Sequence, residues 1–391
     1  MAQLFCSHSP RHAAGEHTDT HTASTQRRRA RHCRRAELMA NSVRFAAVCP
    51  QWRAAARQGR LPPPLPLLAL PDGTVYSLPG SKPLRFPACA GYADACGNWL
   101  FFLNEDGCFL RDPFSNATVT LPALSRYRVR HLGGEPVDEA DMARMEIEEG
   151  KQLSVSKLMF CSPHIIAAIV ILGRSTRIAV CQPGATSWWS VSVDRWSPRF
   201  VDLAFHQGKL YVLTFQDILC AVNISVDHNT NNPWVSQIRE LFRLSILLRG
   251  FRTLTMTYLV ESRGKLLAIC RKIHRLFTEK RFPVAFEQNE FAVFEADFGQ
   301  SRWIKVTTIG KDQVLFLRRG CCRSVCILHN EMPGDRIFYM DNVEEDRCWF
   351  GKFSSSSCSV YDMRDGKVSN PLPMVSWKCG PVYATWLFPQ D

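Results

Sequence analysis

The sequence of 391 residues lacks the short motifs that mark common catalytic sites. It contains no G-x-x-x-x-G-K-[ST] phosphate loop, no G-x-S-x-G nucleophile turn and no H-E-x-x-H zinc helix. The acidic run Glu344, Glu345 and Asp346 is contiguous, which is typical of a solvated turn rather than of an acid–base pair. We therefore expect a protein that is not an enzyme, with no catalytic residue and no bound cofactor.

Cysteine pairs with the spacing of a zinc knuckle are also missing, although the chain has 16 Cys. No C-x-x-C occurs, and a structural zinc site usually takes its ligands from two such knuckles. Most cysteines lie inside apolar, strand-like runs, for example Cys181, Cys220 and Cys270. This pattern predicts free, buried thiols in a reducing compartment and no metal site.

Long hydrophobic runs are absent as well. The longest covers residues 165–172 and is too short to span a bilayer. The opening MAQLFCSHSPRH has no apolar segment of the kind that signal peptides need. We expect the protein in the cytoplasm or the nucleus, without a membrane partner.

Positive charge is concentrated in the first part of the chain. Residues 1–60 contain 11 Arg and 3 acidic residues, so they carry +8 of the net charge of +12. A basic N-terminal segment followed by residues of nearly balanced charge argues against a nucleic-acid-binding domain. The Arg-rich stretch at residues 27–35 is typical of a solvated tail or of a nuclear-import signal.

Composition divides the chain into three parts. Residues 1–40 are rich in Arg, His, Ser and Thr and poor in large apolar side chains, which predicts a disordered tail. Residues 41–60 predict two short helices that meet at Cys49 and Pro50, because proline favours the first position of a helix. Residues 61–391 read as short strands separated by Gly, Asp, Asn and Pro.

An internal repeat organises the third part. A glycine, one or two polar residues and an apolar strand recur as GNWLFFL, GKLYVLT, GKLLAIC and GDRIFYM. Turns such as DPFSNAT, CQPGATS, DFGQSR and DMRDGK follow, with Gly and Asn expected to supply positive φ. Repeated antiparallel units of about 50 residues predict a mostly β fold, a kelch-like β-propeller of about six blades whose first and last strands share a blade. One or two β-sandwiches are the alternative.

Four side chains in this part are candidates for a functional role. Trp188 and Trp189 are adjacent and point to opposite faces of a strand, so we expect one in the core and the other on a blade surface. His206 and His274 each stand alone among strand residues, which is typical of a surface or hydrogen-bonded histidine rather than of a catalytic base.

Two parts of the sequence resemble known domains. Residues 43–56, VRFAAVCPQWRAAA, are similar to the second half of an F-box, which in plants reads close to V-R-F-x-A-V-C-x-x-W-R. The body resembles the KIB-type β-propeller through segments such as GCFLRDPFSNATVTLP, FVDLAFHQGKLYVLT and GDRIFYMDN, and through the terminal TWLFP. Over residues 42–391 the chain thus resembles plant F-box proteins that carry a KIB-type propeller.

This resemblance implies a substrate receptor of a cullin-type (SCF) ubiquitin ligase, whose partners are the SCF adaptor subunit and a protein substrate. The adaptor-binding candidates are Val43, Phe45, Val48 and Trp52, although the same side chains could serve only to pack the two helices. The L-P-x-D-L-L-like opening of an F-box does not precede Val43, where the chain reads RRRARHCRRAELMA, so the implied F-box is truncated. The alternatives are a free-standing propeller that binds proteins without the ligase and an enzyme or sugar-binding propeller.

Overall fold

The computed structural model describes residues 65–78, 83–104, 107–131, 153–172, 175–192, 198–244, 253–277, 283–327, 332–340, 358–372 and 384–388. All of them belong to the compact unit formed by residues 61–391. The predicted tail at residues 1–40 and the predicted helices at residues 41–60 lie outside these ranges. Within these ranges the chain forms 26 strands in six sheets, and no helix is long and apolar enough to cross a bilayer.

Each sheet is one blade of a propeller, and we name the blades A to F in chain order. Blade A contains β26 (Thr385–Leu387), β1 (Leu67–Ala69), β2 (Asp72–Ser77) and β3 (Leu84–Ala90), in that order across the sheet. Blade B contains β4 (Asp94–Cys96), β5 (Trp99–Asn104), β6 (Gly107–Arg111) and β7 (Thr118–Leu121).

Blades C and D follow, and blade C has a fifth strand. From the inside outward, blade C contains β9 (Leu153–Ser162), β10 (Ile165–Leu172), β11 (Ser175–Cys181), β12 (Trp188–Ser192) and β8 (Tyr127–His131). The outermost strand, β8, pairs in parallel with β12. Blade D contains β13 (Phe200–His206), β14 (Lys209–Thr214), β15 (Ile218–Val226) and β16 (Pro233–Arg243).

Blades E and F complete the circle. Blade E contains β17 (Thr253–Ser262), β18 (Lys265–Phe277), β19 (Pro283–Asp297) and β20 (Arg302–Val306). Blade F contains β22 (Arg323–Cys326), β21 (Gln313–Leu317), β23 (Arg336–Met340), β24 (Cys358–Asp362) and β25 (Val368–Ser369), with β21 parallel to β23.

The two ends of the described chain close the ring. In blade A, β26 pairs with β1 so that Trp386 lies opposite Leu68. Trp386 is fully buried and donates from Nε1 to the carbonyl of Leu317 in blade F, at 3.3 Å. The predicted sharing of one blade by the first and last strands is confirmed.

Six hydrophobic clusters hold neighbouring blades together, one at each interface around the ring. Because every blade is covered on both faces, its middle strands are apolar throughout instead of alternating. The strand β10 (Ile165–Leu172) illustrates this, since Ile166 and Ile169, whose side chains enter the clusters on opposite faces, are both fully buried. The fold is therefore a six-blade β-propeller, and the sandwich alternative is wrong.

One turn recurs between the last two strands of several blades. The side chain of an aspartate accepts a hydrogen bond from a backbone amide two or three residues later, and the residue four positions after the aspartate adopts positive φ. The pairs are Asp112 and Asn116, Asp227 and Asn231, Asp297 and Ser301, and Asp362 and Gly366. The predicted positive φ at Gly and Asn is confirmed, except that Ser301 takes this conformation in DFGQSR instead of Gly299.

Candidate functional site

The inner strands of the blades converge on the axis of the ring, and polar side chains accumulate there. Strands β4, β9, β13, β17 and β22 each contact the next, and β26 contacts β4. A charged side chain in such a buried strand needs a partner, because transfer of an unpaired charge out of water is costly. The pairs formed along the axis show how this is achieved.

A buried ion pair joins blades C, D and E. The ammonium of Lys157 on β9 contacts Asp202 Oδ1 on β13, and both side chains are almost completely buried. Asp202 Oδ2 accepts a hydrogen bond of 2.7 Å from the backbone amide of Leu259 on β17. Desolvation lowers the pKa of Lys157, but the carboxylate of Asp202 and the nearby thiol of Cys322 outweigh it, so that the pKa lies above its ordinary value. Lys157 therefore remains charged.

A second ion pair connects blades B and F across the inner edge of blade A. The guanidinium of Arg318, just after β21, bonds to the carboxylate of Asp94 on β4. Gly320 makes this approach possible, since its φ is +90° and a Cβ there would lie 3.0 Å from Asp94 Oδ1. Nearby, the thiol of Cys321 lies 3.6 Å from the carbonyl of Trp386. Side chains of blade F thus reach β26, the short inner strand of blade A, and reach past it to blade B.

A buried arginine joins blades E and F. Arg271 on β18 donates from Nη1 to the carbonyl of Met340, at 2.8 Å, and from Nε to Asn289, at 2.7 Å. Its guanidinium also lies 4.3 Å from the centre of the Tyr339 ring. Burial raises the pKa of the neighbouring Tyr258 to about 12, so this phenol stays protonated.

A cavity of about 50 Å³ opens beside this axial network, between blades D and E. It lies on the side of the ring where the inner strands β13 and β17 begin, which we call the start face. Asp202, Asp217, Thr255 and Thr257 contribute carboxylate and hydroxyl oxygens to its lining, together with the phenol of Tyr258. Val201, Phe215, Met256 and Arg319 also line the cavity. A concave site with a few convergent polar groups is the ordinary form of a binding site.

Two side chains in this cavity have features that favour binding. The hydroxyl of Thr255 is buried and has no hydrogen-bond partner among the residues that the structure describes. Phe215 is 44% exposed, and the guanidinium of Arg199 lies 5.5 Å from the centre of its ring. An unsatisfied buried hydroxyl costs free energy that a ligand could recover, and an exposed ring offers apolar contact area.

The adaptor-binding residues predicted from the sequence, Val43, Phe45, Val48 and Trp52, lie outside the described residues. The cavity residues carried no signal in the sequence. They come from two blades and from the β21–β22 turn, and only the closure of the ring brings them together.

Other candidates from the sequence have structural roles. Trp188 and Trp189 do point into different blade interfaces, but the expectation that one lies on the surface is wrong, since both are buried. Arg130 covers the ring of Trp189 at 4.6 Å and bonds to Asp227 at 2.8 Å. His206 is buried too, with Nδ1 lacking a partner, in contrast to the surface or hydrogen-bonded histidine that we expected.

The thiols follow the prediction. Cys181, Cys220 and Cys270 are free and buried, and desolvation raises the pKa of Cys220 and of Cys270 to about 12. Thiols with such pKa values are protonated and poor nucleophiles. Among the described residues no group of three or more His, Cys, Asp or Glu side chains could hold a metal ion.

Comparison with known proteins identifies the family of this fold. The model of the KIB1-4 β-propeller family matches residues 67–362. No curated protein matches the chain. Two solved structures are similar at 10% identity: the tricorn protease, over 80% of this chain and 32% of that one with a TM-score of 0.25, and the extracellular domain of the putative one component system BT4673 from B. thetaiotaomicron, over 78% and 51% with a TM-score of 0.22. The chain spans only a third to a half of these two proteins, and likeness at this level supports no inference about function.

Proposed function

Because the chain belongs to the KIB1-4 β-propeller family, we propose that it is a protein-binding module that serves as substrate receptor of a cullin-type (SCF) ubiquitin ligase. In this proposal the propeller holds the substrate and catalyses nothing itself. The site of action is the cytoplasm or the nucleus.

The observation that carries the proposal is the order of the two parts of the chain. A stretch that resembles the second half of an F-box, residues 43–56, precedes a closed propeller that has a cavity between blades D and E. A propeller is a rigid scaffold whose faces can hold a partner, and the F-box-like stretch would connect it to the ligase adaptor. Val43, Phe45, Val48 and Trp52 supply the apolar contacts in this arrangement.

The test is a pull-down of the full chain with purified SCF adaptor, with an intact F-box protein of the same family as positive control. Binding close to that of the control supports the proposal. A variant with Val43, Phe45, Val48 and Trp52 all changed to Ser is expected to lose adaptor binding while the propeller keeps its unfolding temperature. A single Trp52→Ala change would decide little, because loss of this side chain would destabilise the two helices predicted from the sequence whether or not it contacts the adaptor.

A second function is favoured by one feature of the sequence. The residues before Val43 read RRRARHCRRAELMA and not the usual opening of an F-box. In this alternative the propeller binds its partners without the ligase and competes with intact relatives for the same proteins. Absence of adaptor binding in a sample whose propeller is folded would favour this reading over the first.

A further inference from the structure

Four aromatic rings form a patch between the outer parts of blades D and E, which we call the aromatic patch. Phe298, in the turn between β19 and β20, has its ring centre 5.1 Å from that of Tyr211 and 6.0 Å from that of Phe242 in blade D. Phe242 packs edge to face on Trp303 of β20, at 5.5 Å. Phe298 is 38% exposed, and Phe242 and Trp303 are half-buried. Aromatic surface is therefore open to solvent at this blade interface.

The exposed ring of the patch is held in place from both sides. Asp297 Oδ1 accepts hydrogen bonds from the amides of Gly299 and Gln300, at 3.1 and 3.0 Å, which fixes the turn that carries Phe298. The imidazole of His206 stacks against Phe298, with 6.0 Å between the ring centres and 15° between the planes. A surface fixed in this way loses little freedom when a ligand binds, which favours affinity.

Two cations approach the patch from opposite walls. Side chains directly opposite each other on neighbouring strands point to the same face of a sheet. Arg239 lies opposite Ala221 and Lys305 lies opposite Phe294, and Ala221 and Phe294 both pack into the cluster between blades D and E. Burial raises the pKa of Tyr211 and the charge of Arg239 opposes the rise, as expected of a guanidinium near the patch.

A third cation lies at the inner side of the patch. Lys209 is opposite His206, whose ring stacks on Phe298. Lys209, Arg239 and Lys305 are all exposed, and none of them makes an ion pair or a hydrogen bond with another described residue. Their charges are therefore available to a ligand.

The neighbouring carboxylates do not cancel these charges. Glu240 lies opposite Cys220, which packs between blades C and D, so it faces away from the patch. Asp297 is already paired with Arg302, at 4.0 Å. Glu261 does face blade D, and it accepts a hydrogen bond from an amide of its own turn. Beside the patch, positive side chains thus outnumber negative ones among the described residues.

The positions of two of the cations indicate how a ligand would lie. Both β16 and β20 are the fourth strand of an antiparallel blade, so they run in the same direction. Arg239 precedes Phe242 on β16, whereas Lys305 follows Trp303 on β20. The two charges therefore lie toward opposite ends of the patch. A segment with acidic residues on both sides of an aromatic side chain is complementary to this arrangement.

A single-stranded nucleic acid also combines stacking with negative charge, but the patch suits it less. Bases stack on open ring faces, whereas one face of Phe298 is covered by His206 and the rings of Phe242 and Trp303 are half-buried. Residues 61–391 carry only the +4 that remains of the net charge of +12 after the +8 of residues 1–60. Charge and ring geometry together favour a peptide.

From these features we infer that the aromatic patch, with Lys209, Arg239 and Lys305 around it, is a docking site for an acidic peptide segment that carries an aromatic side chain and belongs to the protein that the propeller holds. The inference rests on the proposed protein-binding function and specifies its recognition chemistry. It does not depend on adaptor binding.

Fluorine NMR of the full chain labelled with 5-fluorotryptophan tests the inference directly. The signal of Trp303 is assigned from a Trp303→Phe variant. The probes are acetyl-Asp-Glu-Phe-Glu-Asp-amide, the same peptide with Gly in place of Phe, the basic peptide acetyl-Lys-Lys-Phe-Lys-Lys-amide and a short oligothymidylate. The acidic aromatic peptide is expected to shift the Trp303 signal saturably, while the signals of Trp188 and Trp386, fully buried at other blade interfaces, stay in place.

The Arg239→Glu variant is the test of the charge. It replaces an attraction by a repulsion, so the affinity for the acidic aromatic peptide should fall about fivefold or more. The matched control is Arg243→Glu, because Arg243 is exposed on the same strand but lies opposite Ile218, which packs between blades C and D. The control should keep the affinity of the wild type.

Four outcomes would overturn the inference: no shift of Trp303, equal affinity for the peptide with Gly, tighter binding of the basic peptide or of oligothymidylate, or equal affinities for wild type and Arg239→Glu. Saturable binding of the acidic aromatic peptide together with failure of the adaptor pull-down would support the docking site and contradict only the ligase role. Adaptor binding without any Trp303 shift would contradict only the docking site.

Discussion

In both halves of the ring a buried ion pair joins the blades near the axis, but the inner strands of the two halves differ greatly in length. In the half formed by blades C, D and E, the inner strands β9, β13 and β17 have 10, 7 and 10 residues. In the half formed by blades F, A and B, β22, β26 and β4 have 4, 3 and 3 residues. Among the described residues of the inner strands and their adjoining turns, a buried ion pair lies in each half, Lys157–Asp202 in the first and Asp94–Arg318 in the second.

The difference between these pairs shows what the side chains contribute. Lys157 and Asp202 lie on adjacent inner strands, and Asp202 also caps an amide of the third blade. Arg318 instead reaches past the short strand β26 to a blade that is not its neighbour. The inner strand of blade A is short and offers few backbone contacts, and there the long side chain of Arg318 connects blades F and B on either side of it.

Removal of the Asp202 carboxylate should have the largest effect on stability. The Asp202→Asn variant leaves the charge of Lys157 buried without a counter-ion, and we expect a loss of about 3–5 kcal/mol in the free energy of unfolding. Urea unfolding of wild type and variant measures it. The double variant Lys157→Met, Asp202→Leu should recover part of the loss, because two apolar side chains replace the ion pair while the amide of Leu259 loses its acceptor. A single-variant loss below about 1 kcal/mol would contradict the role that we assign to this pair.

Removal of the Asp94 carboxylate should cost less, about 2–3 kcal/mol by the same measurement. The side chain of Asp94 is 15% exposed against 6% for Asp202, so water can partly hydrate Arg318 in the Asp94→Asn variant. The control is Asp72→Asn, since Asp72 pairs with Arg85 on the surface and such pairs contribute between zero and about 1 kcal/mol. Equal losses at Asp94 and Asp72 would mean that the pair across blade A does not hold the ring.

Much of the fold could be predicted from the sequence. The four glycine-led repeats begin β5, β14, β18 and β23, and Gly97, Gly208 and Gly264 have the positive φ of tight hairpin turns. Each repeat carries its own turn and its own apolar strand, so the local sequence was sufficient to predict these strands. Strand β8 gave no such signal, because its parallel pairing with β12 depends on tertiary contacts alone.

The buried ion pair and the cavity beside it were far less predictable from the sequence, which gave a signal only for the ion pair. Lys157 in SKLMF and Asp202 in FVDLAF are single charges within apolar strands. A charge in a strand buried on both faces implies a partner, but its identity follows only from the way blades C and D meet. The cavity is harder still, because Asp217 and Thr255 reach it from different blades at positions without a motif.

A substitution at Gly320 tests the close approach of this glycine to the Asp94 carboxylate. Gly320→Ala introduces a Cβ at a φ of +90° and 3.0 Å from Asp94 Oδ1, and we expect a loss of about 2 kcal/mol in the free energy of unfolding. Gly91 has a similar φ of +81° with open space around it, so Gly91→Ala isolates the backbone cost of about 1 kcal/mol. In an Asp94→Ala background the difference between the two glycine variants should disappear. If it persists, contact with the Asp94 carboxylate is not its cause.

The smallest effect should come from pH and should be confined to the half with long strands, because the described residues of blades A, B and F contain no histidine. Burial lowers the pKa of His206, with Glu261 opposing, and the imidazole stacks on Phe298. A lowered pKa means that the fold favours the neutral form, so the contribution of His206 is complete above about pH 6.5 and is lost as the pH falls below that value.

From pH 7 to pH 5.5 the free energy of unfolding of wild type should fall more steeply than that of His206→Phe, by at most about 1.4 kcal/mol per pH unit. His164→Phe, at an exposed turn, is the control for loss of an imidazole, and equal slopes for wild type and His206→Phe would show that His206 is not buried as a neutral group.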